Sequence, residues 1–399
     1  MGYSKLGTLA CLALVVLGAL FVAGCGGGDS TGSATESTES SEAGGGTESG
    51  ETAEVKEEGG SSASGGIAEA QKFVEEGLET PTQITLTKPF KKTPPSGKTL
   101  AYMNCGLPIC SEVEAGLKES TKVLGWKLVS ISTGSTPESV QSAWSEVVQL
   151  NPDAVVADGS PAVLYEKQLK EYAAEGGAFV NEAVAEEPLV ENSINIVGKD
   201  DFSESGKWLA RWAIAKQEEN ANSVFVNVSE FPILTTLEEA FKEEYKRLCA
   251  SCKLESLTVS AAAIGKDLPS QLVSWMQKNP ETNFLVPSFG DMVLGVPQAL
   301  KAAGVNESVS VISQGDGPTN FEYIAEGGQE VAVPQPVQMI AWMMTDAAAR
   351  LIVGEKFDES EYQVVPHQYI TAENLENPKE PWPGVPGFQK QFEELWKLG

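Results

Sequence analysis

Residues 98–157 read KTLAYMNCGLPICSEVEAGLKESTKVLGWKLVSISTGSTPESVQSAWSEVVQLNPDAVVA. The apolar run at 99–103 predicts a strand, and 111–124 predicts a helix that places Val113, Leu117 and Leu124 on one face. Ser111 and Glu114 stand at capping-box spacing, and Gly125 sits where a helix end takes a left-handed residue. A second strand is predicted at 127–131. Thr136-Pro137 then offers an N-cap followed by proline in the first turn, which opens a helix to Leu150. Asn151-Pro152 stops that helix before a third strand at 154–157. Strands separated by helices of this length pair in parallel, in a sheet covered on both faces.

Outward from this stretch the rhythm continues, with a helix near 162–175, a stop at Gly176-Gly177 and a strand at 178–181. A helix at 203–216, bearing Leu209 and Trp212, begins a second round. Strands are predicted at 223–228, 254–259, 283–286 and 309–313, with helices at 236–248, 270–278, 291–303 and 319–325 between them. Pro297 lies inside the third of these helices and predicts a kink. A strand at 330–333, a very apolar helix at 337–351 and a strand at 361–365 follow, and the 370–399 tail reads as mostly surface, with Trp382, Phe388 and Trp396 packing it down. The fold class is therefore α/β, with two Rossmann-like lobes of parallel sheet joined by a multi-strand hinge, each lobe having a crevice at its switch point. The first lobe is expected to span about 97–198 plus 328–355. The second is expected to take about 199–327 plus the C-terminal strand and tail.

Toward the N-terminus, Lys5 precedes an apolar stretch at 10–23 that is short for a membrane span and ends in small residues. This reads as a signal peptide, residues 1–24. Val22-Ala23-Gly24-Cys25 resembles a lipobox, which implies that Cys25 becomes the lipidated N-terminus of the mature chain. Ser, Gly, Thr and Glu dominate 26–66, and the near-absence of large apolar side chains leaves too little burial to offset the entropy of ordering. Residues 25–66 thus read as a lipidated, acidic tether whose flexible part has a root-mean-square span of roughly 35 Å for ~40 residues. The 67–399 body remains.

The chain carries a net charge of −28 and no basic patch, which argues against nucleic acid as a partner. Outside the leader and Cys25, the cysteines form two local pairs, Cys105 with Cys110 and Cys249 with Cys252, and an even count outside the cytoplasm favours disulfides. Cys249-Ala250-Ser251-Cys252 has a second reading as a redox motif, but it falls at a helix end, where a thiolate gains nothing from the dipole. With one histidine in the chain, His367, no zinc set is complete, and no metal or cofactor is expected.

Four segments carry a family resemblance: Tyr102–Pro108; Asn151–Val156; Asp291–Gly295 followed by Ala299–Gly304; and Val311–Gly317. In this order they resemble type I periplasmic binding proteins of the sugar-binding, ribose-binding-like kind that serve ABC transporters, over roughly residues 97–370. The resemblance implies two lobes that close on a ligand about a hinge. It also implies contacts from the strand-end loops: Pro108, Ile109, Ser160, Asn181, Glu182, Phe231, Thr235, Phe289, Asp291, Asp316 and Gln335. This chain departs from the pattern at several of those places. Phe289-Gly290 stands where sugar-binding relatives usually carry Asn-Asp, Asn181-Glu182 stands for a frequent Asp-Arg pair, and Asp316 is one residue late. Asp291 has a second reading as a helix cap and Asp316 as a turn former.

The expected role is that of an extracytoplasmic, membrane-anchored substrate-binding lipoprotein. It would act as a monomer, capture a small, polar, carbohydrate-like solute and deliver it to an ABC permease. The alternative is a sensor that presents bound solute to a membrane receptor. An enzyme is disfavoured, because no nucleophile-base set, metal cluster or phosphate loop is present. A DNA-binding regulator of the same fold would need a helix-turn-helix where the acidic tether lies.

Overall fold

The computed structural model describes residues 59–134, 136–315 and 317–398. The leader, Cys25 and Asp316 lie outside the described residues. A first helix, α1 (Gly59–Glu76), overlaps the end of the predicted tether. The first lobe follows as β1 (Thr99–Asn104), α2 (Pro108–Leu124), β2 (Lys127–Ser132), α3 (Pro137–Leu150), β3 (Ala154–Asp158), α4 (Glu166–Ala174), β4 (Ala178–Glu182) and β5 (Ser193–Ile196). Its strands pair in parallel in the order β2-β1-β3-β4-β5. The chain crosses into α5 (Lys199–Gln217) and builds β6 (Asn222–Val228), α6 (Ile233–Leu248), β7 (Lys253–Val259), α7 (Leu268–Lys278), β8 (Phe284–Pro287), α8 (Val296–Ala303), β9 (Ser310–Ser313), α9 (Pro318–Ala325) and β10 (Val331–Ala332). This second sheet is also parallel, in the order β10-β9-β8-β6-β7. The chain then returns to the first lobe as α10 (Val337–Val353) and ends with α11 (Phe388–Leu395).

Helices cover both faces of each sheet, so the central strands are almost wholly buried, as their continuous apolar sequences demand. Two glycines let covering helices approach closely. A Cβ at Gly206 of α5 would lie 2.3 Å from the Leu237 carbonyl oxygen of α6, and one at Gly116 of α2 would lie 2.7 Å from the Ala341 Cβ of α10.

Several local expectations are corrected. α2 starts at Pro108, three residues before Ser111, because proline in the first turn supplies the helical φ and lacks an N–H that would go unpaired there. Glu114 is consequently no cap partner and accepts from Asn104 (2.8 Å), Ser130 (3.1 Å) and Lys118 (2.7 Å). The predicted 291–303 helix is divided into a 3-10 turn, Gly290–Val293, and α8. Gly295 turns the chain between them with φ +75°, which places Pro297 in the first turn of α8, where it kinks nothing. The predicted 361–365 strand is replaced by a 3-10 turn, Glu359–Tyr362. β5 had no counterpart in the sequence reading, and β10 belongs to the second sheet although 328–355 had been assigned to the first lobe.

Both chain ends straddle the lobes. Ile67, Ala70 and Val74 of α1 pack in the second lobe's core, whereas Ile84, Leu86 and Phe90 pack in the first. At the other end Trp382 joins Phe321, Ile324 and Ala332, while Val385, Phe388, Phe392 and Trp396 enter the core of the first lobe. The tail is therefore divided: its start packs on the second lobe, as expected, and its end packs in the first. Trp396 stacks on Trp342 of α10 (centroids 5.1 Å apart, planes at 4°) and donates to the buried Asp346 (3.1 Å). Asp346 pairs with Arg350 (2.7 Å) and accepts from Tyr362 (2.9 Å), while the Arg350 guanidinium lies over Phe90. Burial raises the Asp346 carboxyl, and the nearby Arg350 opposes that rise.

Besides these ends, the chain crosses between the lobes at 197–199, 333–337 and 363–369. All three crossings meet at Asp201, fully buried in the first turn of α5. Its Oδ2 accepts from Gln335 (2.7 Å), and its Oδ1 accepts from the Val365 N–H (2.9 Å) and lies 3.6 Å from His367 Nε2. His367 in turn bonds Ser205 (3.0 Å), which accepts from Gln314 (3.2 Å). Removing this carboxylate leaves several buried donors unpaired, so Asp201→Ala is expected to cost about 2–4 kcal/mol. In urea titration this appears as a lowered midpoint, and an unchanged midpoint would contradict the role given to the node.

Candidate binding site

In each sheet the strand order reverses beside the first strand of the lobe, between β1 and β3 and between β6 and β8, and chains leaving adjacent strand ends there part to opposite faces. The segments after these four strands carry Pro108 and Ile109 in the first turn of α2, Ser160, Phe231, and Phe289 with Asp291 in a 3-10 turn.

On the first lobe, Asn104 accepts from the Gly106 N–H (2.8 Å) and donates to Glu114, which fixes the turn of the 105–110 loop. Cys105 and Cys110 stand at disulfide distance across it, Cα atoms 5.9 Å apart. The Cys110 sulfur lies 3.5 Å from Asp158 at the end of β3, and Asp158 accepts from the Tyr102 hydroxyl (2.6 Å). Burial pushes Asp158 up to about 6, against the Tyr102 hydrogen bond. Burial and then the Asp158 charge push Tyr102 well above its ordinary value. Glu182 is in register beside Asp158 and is buried. Asn181 points its amide to the Ser160 carbonyl and the Tyr165 hydroxyl (3.3 Å each), and its buried Oδ1 has no partner. Tyr165 stacks on Trp144 (4.5 Å, 12°), so an aromatic base supports this corner.

On the second lobe, Phe231 and Phe289 meet edge to face with centroids 6.1 Å apart. Asp291 lies in the 3-10 turn after β8 and caps no helix. The turn is held by Asn320, which donates to the Gly290 carbonyl (3.1 Å). The Ile109 backbone N–H of the opposite lobe lies close enough to favour the charged form of Asp291, while Asp291 Oδ2 is buried without a partner. Burial pushes its carboxyl up to about 6.

Pro108, Ile109 and Asp291 thus share one cavity of about 200 Å³ with Glu112, Gly290 and the start of α9, Gly317–Asn320. Glu112, Thr319 and Asn320 were missed in the sequence, since nothing in their spacing marks a helix flank or a first turn as cleft lining. The remaining candidates lie apart. Thr235 is exposed on the first turn of α6, and Gln335 is committed to Asp201 in the hinge.

Two parallel-sheet lobes with facing switch points and a cavity lined by both define a bilobal binding protein. The chain belongs to the family described as periplasmic binding protein domain, whose model matches residues 101–356. Solved structures agree on the fold. An ABC transporter solute-binding protein from Agrobacterium vitis bound with α-D-tagatopyranose is 16% identical with a TM-score of 0.61, covering 70% of this chain and 97% of the other. A 5-methylthioribose transporter solute-binding protein from Thermotoga lettingae is 18% identical with a TM-score of 0.63, covering 78% and 100%. A structure described as a putative LacI transcriptional regulator from Bacteroides fragilis is 13% identical with a TM-score of 0.59, covering 70% and 99%. No curated protein matches the sequence.

The raised carboxyls fix a pH dependence. A carboxyl near 6 when folded and near 3.9 when unfolded binds more protons in the folded state, so stability is lost as pH rises from about 4 to about 6. Asp291→Asn should therefore stabilise the unliganded chain by roughly 1–3 kcal/mol at pH 7.5 and change little at pH 4. Melting curves at the two pH values check this, and equal shifts at both would refute it.

Proposed function

We propose that the protein is the solute-binding component of an ABC importer, working outside the cytoplasm and capturing a small polar solute by closing its lobes. The observation that supports this most directly is the shared cavity, whose walls come from both lobes. A solute there contacts Ile109 and Asp291 together only when the lobes meet, so binding and closure are one event. The volume is below the ~300 Å³ lower end for drug-sized pockets, which suits a solute of a few polar groups. Sugar ligands named for similar structures agree with that size and polarity.

In the same reading, Cys25 carries the lipid and the acidic tether lets the body stand off the membrane. Cys25→Ser should then leave the chain unlipidated, which metabolic labelling with palmitate followed by membrane fractionation tests. Persistent labelling of the variant would remove the anchor from the reading.

Both cysteine pairs are taken as oxidised; Cys249 and Cys252 also stand at disulfide distance, Cα atoms 5.4 Å apart. The 105–110 linkage braces the loop that presents Ile109 to Asp291. Solute capture itself is tested by calorimetric titration and melting with sugars, polyols, amino sugars and nucleosides, where a ligand of the folded state raises the melting temperature. For a solute that binds, a reductant should weaken affinity several-fold, and unchanged affinity with both thiols titratable would show that the brace has no part in binding.

A further inference from the structure

The loops after β1, β3, β6, β8 and β9 contain no lysine or arginine, although Asp158 ends β3 and Asp291 follows β8. The cavity repeats this at short range. Of its lining residues, only Glu112 and Asp291 are ionisable, one from each lobe. Glu112 accepts from the Gln338 amide (3.2 Å), and Asp291 Oδ2 is buried without a partner. Among the described residues, neither lies within ion-pair distance of a cation. Some carboxylates elsewhere in the body do have such partners, among them Asp346 with Arg350, Glu244 with Arg211 and Arg247, and Asp153 with Lys98.

A neutral solute would leave these two charges desolvated and mutually repelling as the lobes close. A cation between them offsets both costs. The unpartnered, buried Oδ2 of Asp291 is an acceptor with nothing in the protein to bond.

We propose that the solute carries a protonated amine, held between Glu112 of the first lobe and Asp291 of the second. Asn320 holds the turn that presents Asp291. The cation is then the group that both lobes share, so closure is coupled to charge as well as to shape. This assignment rests on the solute-capture reading above and names the class of solute.

The test uses the full-length chain and matched solutes that differ by the amine: D-glucosamine against D-glucose, putrescine against 1,4-butanediol, and amino alcohols against the corresponding diols. Affinities are measured at pH 7.5 in low and high salt. At least one amine is expected to bind tenfold or more tightly than its neutral counterpart and to weaken as salt rises, with Asp291→Asn or Glu112→Gln cutting that preference about tenfold. Neutral members binding as well as their amines would overturn the charge assignment and leave solute capture intact. Amine binding untouched by either substitution would overturn the site. Silence from both classes would overturn the assignment together with the capture reading.

Discussion

The Asp201 carboxylate is the constraint on which the two-lobed arrangement depends. It lies in the first turn of α5, immediately after the first crossing, and bonds Gln335 from the second crossing and Val365 from the third. A hinge must bend without coming apart. A buried acceptor shared by three strands of chain meets that need, because each crossing is fixed at one point and its flanks remain able to rotate. Burial raises the carboxyl, opposed first by His367, so the node is a costly polar group retained because its partners are complete.

Much of this architecture was legible in the sequence, for local reasons. Helices of one amphipathic face alternating with short apolar runs force parallel strands, and Thr136-Pro137 and Gly125 mark helix ends by backbone chemistry alone. Where two local signals competed, the stronger backbone constraint won. Pro108 overrode the Ser111 capping pattern, and Gly295 broke a helix that the apolar spacing had carried through. The allocation of the tail was illegible, because it follows from Trp396 meeting Trp342 and Asp346, a contact between distant segments that no period encodes.

The candidate site was legible to the same depth. Segments that follow strand ends at a switch point are predictable from strand order, which is why Ile109 and Asp291, both lining the cavity, could be named from the sequence. Glu112 and Asn320 lie on helices and become cleft residues only through the way the lobes face one another. Gln335, a polar residue at a strand end, bonds the hinge carboxylate Asp201, a contact that nothing in its spacing signals.

The packing of the C-terminal segment into the first lobe has a consequence for biogenesis. β1, β2 and β3 are among the first strands made, yet the cover of their sheet includes Phe388, Phe392 and Trp396 from the last turns of the chain. An emerging polypeptide lacks that cover until α11 has been made, so the first lobe stays incompletely packed while the second can already close most of its own core.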